Sequence, residues 1–265
     1  MIRLNNLLDN PNIRIAEQKG NIQVLEYIQD KSVTAENAMQ EYFASQMNSR
    51  KRQALITLNN NGFAISAGAM QWTAGNVQAG TDVKGVGDFF GKTIKGAVTK
   101  ESGIKPVYRG TGFLMLEPTY KYLIVEDIGT WESGMVLDDG MFLGCQEQIA
   151  RKIAARKTLS SAMLGNEGLF NLALVGRGYA VMESSVPREE LTEVVLENDE
   201  IRIDGNFAVA WSANLEFTVE RSTKTLIGSA ASGEGFVNVY RGTGKVLLAP
   251  VESSRSSLKQ ALAKK

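Results

Sequence analysis

The 265-residue chain has no histidine and a single cysteine, and each shortage removes a class of function. Histidine is the commonest metal ligand and the commonest general base near neutral pH, so both are missing. Serine–histidine and cysteine–histidine nucleophile pairs are excluded with it. Cys145 has no second thiol to pair with, which suits a reducing compartment. With no histidine to serve as its base, it reads as a small buried hydrophobe sooner than a nucleophile. Long apolar runs are also missing. The longest, such as Leu169–Val175, fit a buried strand and fall well short of the ~18 residues that cross a bilayer. The first residues, Met1–Gln18, lack the basic-then-apolar pattern of a secretory signal, so the expected setting is cytoplasmic. Nor is there an excess of charge of one sign. Lys plus Arg and Asp plus Glu both number 29, so no positive field favours phosphates and nucleic acid is not an expected partner.

What the chain does have is a repeat. Three stretches align: Lys92–Pro118, Lys157–Ser185 and Lys224–Pro250. Their Gly-x-Gly pairs fall at Gly110/Gly112, Gly176/Gly178 and Gly242/Gly244, an equal spacing with matching flanks. A turn glycine precedes each copy, at Gly68, Gly140 and Gly205, each between two apolar runs. Glycine reaches positive φ without steric cost, so the Gly-x-Gly pairs and the Asp139-Gly140 and Asp204-Gly205 steps read as hairpin turns. One unit cannot bury its own apolar face, so three must pack together.

The expected fold is therefore all-β: three tandem pseudo-symmetric β repeats (about 53–118, 119–184 and 185–250) closing into one barrel-like or prism-like domain over 53–251. Residues 1–52 are expected to supply a strand and an amphipathic helix packed on that domain. Met39, Tyr42, Phe43 and Met47 recur at helical spacing within Ser32–Arg52, after Thr34 as N-cap. Residues 252–265 read as a flexible polar tail. One stretch pulls two ways. Gln146–Leu159 has local helix propensity, but the repeat places it on a strand, and the repeat decides.

The Gly68-Ala69-Met70 and Gly233–Phe236 words, with the three Gly-x-Gly pairs, resemble the altered-inheritance-of-mitochondria protein 24 family, also called domain of unknown function 124. The likeness covers about Asn21–Val251. It implies a fold like the tryptophan RNA-binding attenuator, a shortened double-stranded β-helix repeated three times about a pseudo-threefold axis, and it implies self-association. The family has no established catalytic residues to carry over. Its mitochondrial relatives are associated with inner-membrane organisation, whereas this chain shows no transit-peptide pattern.

Individual motifs carry little chemistry. Gly85–Thr93 resembles a phosphate loop but has Val86 where the first glycine belongs, and its Lys92-Thr93 step recurs in the other repeats without a glycine loop. The same loop departs from the repeat, so Gly85, Gly87, Phe89 and Phe90 are read as a contact for a partner, a neighbouring subunit or a membrane surface. Arg151, Lys152 and Arg156 form a basic cluster that could touch an anionic surface. No metal, cofactor or catalytic residue is expected. The leading expectation is a non-enzymatic homo-oligomeric scaffold or interaction protein, a trimer being one form, with a protein or membrane-surface partner. A ring that binds a small molecule, lipid head group or RNA is the second reading. An enzyme using lysine or acidic residues is the third.

Overall fold

The structure is a computed structural model that describes residues 2–81, 105–155, 170–221 and 236–251. A hairpin comes first, β1 (Ile13–Lys19) and β2 (Ile22–Tyr27), followed by the helix α1 (Ala38–Gln46). The first repeat then supplies β3 (Arg52–Ile65), β4 (Met70–Thr81) and β5 (Pro106–Leu116). The second is broken into shorter strands: β6 (Tyr122–Asp127), β7 (Met135–Leu137), β8 (Phe142–Gln146), β9 (Ala150–Ala155), β10 (Phe170–Val175) and β11 (Tyr179–Ser184). The third holds β12 (Thr192–Asp204), β13 (Ala208–Ser212), β14 (Glu216–Arg221) and β15 (Phe236–Leu248). The fold is all-β, as the sequence predicts, with one α-helix among the described residues. Ala150–Ala155 is strand, so tertiary pairing overrides its local helix propensity.

Each repeat is one antiparallel three-stranded ribbon with its last strand in the middle. β5 lies between β3 and β4, and β15 lies between β12 and the pair β13 and β14. In the second repeat β10 and β11 take the middle position. The predicted hairpins are therefore corrected. Gly110, Gly112 and Gly242 sit inside continuous strands with φ of 135°, 151° and 124°. A Cβ on Gly110 would lie 1.9 Å from the Asn76 carbonyl oxygen, and one on Gly112 2.0 Å from that of Ala74. Gly110 and Gly112 crease the ribbon where two backbones approach too closely for any side chain, whereas Gly242 is set apart by its positive φ alone. The crease crosses the ribbon, because β3 shifts register at Asn60 and β12 at Asn198, both with positive φ. The Gly68, Gly140 and Gly205 turns likewise join strands that do not pair with each other.

The second repeat alone is divided between two sheets: β6, β8 and β11 lie in one and β7, β9 and β10 in the other, whereas the first and third ribbons each stay within one sheet. Repeats join where the end of an outer strand meets the start of the next repeat's second strand. Phe63, Ala64 and Ile65 of β3 pair with Gln146, Cys145 and Gly144 of β8. Met135, Val136 and Leu137 of β7 pair with Ser212, Trp211 and Ala210 of β13. The result is an eight-stranded and a seven-stranded sheet. Core side chains fill the seams. One cluster joins Ala64 and Val107 of the first repeat, Trp131, Leu137 and Cys145 of the second, and Val209 and Leu247 of the third.

Candidate interaction surface

Equivalent positions can be read from the central strands. Leu114, Ala180 and Val246 pair with Thr73, Cys145 and Trp211, and all three ladders skip one residue at the same place. By this register a third seam would set Ile201, Arg202 and Ile203 of β12 against Ala74, Thr73 and Trp72 of β4. Among the described residues no ladder joins them. The consequence is visible in burial. All five residues of β13 and the first four of β8 are buried, whereas Met70, Gln71 and Thr73 of β4 are exposed. Phe63–Ile65 and Met135–Leu137 are buried, whereas Arg202 and Asp204 are exposed.

The two sides of the missing seam are finished differently. On the β12 side, Arg202 stands where Ala64 and Val136 stand in the closed seams. It joins a ring of ion pairs. Arg202 Nε donates to Glu200 at 2.9 Å, Arg241 Nε to Glu200 at 2.7 Å, and Arg241 Nη1 to Glu220 at 2.6 Å. The hydrogen bond from Arg241, offset by slight burial, holds the Glu220 carboxyl down at about 2. A cleft of about 420 Å³ opens beside this strand, lined by Ile201, Ile203, Phe207 and Leu248 among others. On the β4 side, the face that would meet a further repeat is covered by the chain's own N-terminus. Leu4, Leu7 and Ile13 pack, with Trp72 and Phe113, on the cluster of Leu25, Leu55 and Met115. Among the described residues no strand pairs with the outer edge of β4.

Among the described residues, six strands have a paired neighbour on one side only: β1, β4, β6, β9, β12 and β14. Five carry charges that discourage further pairing. β1 has Arg14, Glu17 and Lys19; β9 has Arg151 and Lys152; β12 and β14 hold the ion-pair ring. β6 has Glu126 and Asp127, and its edge is also met by β1, since Lys19 Nζ donates to the Val125 carbonyl and Val125 N donates to Glu17. β4 runs 12 residues from Met70 to Thr81 without a charge or a proline.

A second exposed feature is α1. The sequence expectation of 32–52 is cut to Ala38–Gln46, with Asn37 in place of Thr34 at the cap position, and none of its residues is buried. Met39, Tyr42, Phe43 and Met47 face solvent at 74, 62, 61 and 80% exposure, so the predicted apolar side is not packed on the repeat domain. Charge explains how the segment is held instead. Glu26 of β2, 2% exposed, accepts hydrogen bonds from Arg14 at 2.6 Å, Arg50 at 3.3 Å and Arg52 at 2.9 Å. Arg50 and Arg52 also donate to the carbonyls of Ser45 and Asn48 at the helix end. The anchor is an ion cluster below the helix, leaving its apolar side free. Nearby, Tyr120 donates to Asp30. That bond lifts the Tyr120 hydroxyl to about 12, and burial and the Asp30 charge add to it.

Of the residues singled out in the sequence, Gly85, Gly87, Phe89, Phe90 and Arg156 lie outside the described residues, as does the 252–265 tail. Arg151 and Lys152 are described and do not form one patch. Adjacent strand residues point to opposite faces. Arg151 turns back to donate to the Ile149 carbonyl at 2.9 Å, while Lys152 is exposed. Cys145 is fully buried, pairs with Ala180 and Ala64, and stands in the register where Trp211 stands in the third repeat. Sequence reasoning missed the β4 edge and the Glu26 cluster. The uncharged run Met70–Thr81 was a readable signal for the first; nothing local announced the second.

The comparisons with known proteins agree with this architecture. A family model described as mitochondrial biogenesis AIM24 matches residues 45–251. Among solved structures, the crystal structure of protein SPYM3_0169 from Streptococcus pyogenes superimposes with a TM-score of 0.58 at 22% identity. The match covers 81% of this chain and 94% of that one, and it shows a shared fold. No curated protein matches the chain.

Proposed function

The chain belongs to the AIM24 family, and from that premise we propose that it is a non-enzymatic, self-associating scaffold working in the cytoplasm. The observation that carries the reading is the outer edge of β4, 12 residues without a charge that no other described strand covers. An open edge presents a row of unpaired N–H and C=O groups, which is a template for another chain. The outward apolar side chains of α1 supply a second contact, suited to a membrane surface, where Tyr and Phe sit at the headgroup boundary. No described helix is long and apolar enough to cross a membrane.

Native mass spectrometry of the gently isolated protein tests the reading. A multiple of the 28.9 kDa chain supports a scaffold, and a bare monomer rejects it. The cleft lined by Ile201, Ile203, Phe207 and Leu248 supports a second reading, a small apolar ligand, which the same spectrum would show as a fixed extra mass per chain. Phe43→Ser should reduce binding to anionic vesicles in flotation; unchanged binding would remove the membrane role.

A further inference from the structure

The repeat register suggests one occupant for the free edge of β4, the end of β12 from a neighbouring copy. The structure closes that route on both sides. Arg202 stands where the two formed seams have Ala64 and Val136, both buried. Leu4 and Leu7 cover the face of Leu55 and Met115 that such a neighbour would need. β9 and β14 present edges that carry charges too. A strand without charge is matched by another without charge, since neither then leaves an ion desolvated in the new ladder. Among the described edge strands that condition is met by β4 itself.

We propose that β4 pairs with the β4 of a second copy, antiparallel about a two-fold axis, and that this dimer is the unit of self-association. The inference rests on the scaffold reading above and names its contact. A two-fold contact is isologous, so one patch serves both partners and the assembly closes at two chains through this edge. The joined sheet would run through both molecules. It would cover Gln71, Thr73, Asn76 and Gln78, which are exposed in the single chain. It also sets Met70, 37% exposed, at the edge of the contact.

Single-cysteine variants locate the axis. Thr73→Cys, Asn76→Cys and Gln78→Cys each place a thiol on the exposed edge, with Cys145 buried and silent. Directly opposed residues in an antiparallel pair have Cα atoms about 4.5–5.5 Å apart, within the span a disulfide bridges. Mild oxidation should therefore yield a covalent dimer at the position nearest the axis, falling away on either side, with none from the wild-type chain. A Thr73→Lys/Gln78→Lys chain should lose the dimer in native mass spectrometry while keeping its thermal melt. A wild-type monomer would defeat both the scaffold reading and the edge. An oligomer that survives both lysines and forms no cross-link at any position would leave the scaffold standing and overturn the β4 contact.

Discussion

Glu26 balances three guanidinium groups, and Arg52 beside it is 2% exposed. Removing one partner of a buried pair leaves the other charge without compensation. Glu26→Ala should therefore cost about 3–5 kcal/mol of unfolding free energy in urea, and the loss should be larger than for Arg14→Ala, whose side chain is 55% exposed. The crease glycines give a second residue-scale test. Gly110→Ala meets the Asn76 carbonyl oxygen at 1.9 Å and must also hold a φ of 135°. Gly176→Ala bears a similar φ, but its nearest neighbour is 3.7 Å away. Urea midpoints should fall further for Gly110→Ala; equal shifts would refute the close-approach account. The sequence made these glycines visible as special backbone positions. It could not say hairpin or crease, because positive φ serves both and the deciding atoms, the Ala74 and Asn76 carbonyls, lie on another strand.

At the scale of elements, α1 shows what periodicity can and cannot tell. Met39, Tyr42, Phe43 and Met47 announce a helix, yet spacing does not reveal which way an apolar side faces. That was settled by Glu26, whose ion cluster fixes the helix from beneath and comes from β2, the strand just before it, through arginines on the far side of the helix. The β12–β14–β15 ribbon makes a prediction in pH. Glu220 has its folded pKa lowered to about 2 from 4.5, so its ion pairs stabilise the fold above pH 4.5. That contribution should fade as pH falls from about 4.5 to 2, and Glu220→Gln should flatten this part of the acid melt. Tyr120 has the opposite sense. Its folded pKa is raised from 10.0 to about 12, so its bond to Asp30 contributes below pH 10 and is lost as pH climbs towards 12. Tyr120→Phe should remove that alkaline slope. A melting profile indifferent to either change would count against these bonds.

For the whole molecule, the equal spacing of Gly110, Gly176 and Gly242 made three repeats and a strand-built fold legible before any coordinate. The inequality of the repeats was not legible. The strand register puts Thr73, Cys145 and Trp211 in one class, and the fold buries two of them while leaving the first at an open edge. The reason is position in the array: an inner repeat has neighbours on both sides and a terminal one does not. Arg202 was readable as a charge, but its meaning depends on the buried Ala64 and Val136 in the equivalent places.

The β1–β2 hairpin and the Leu4–Leu7 cover also bear on how the chain is made. Synthesis delivers the N-terminus first, and folding proceeds largely in that order. The first ribbon leaves the ribosome with its own lid already translated, so its Leu55–Met115 face need not wait for anything downstream. The last ribbon has no such provision. It is finished against Val136 and Ala173 of the preceding repeat, a surface that synthesis delivers before it.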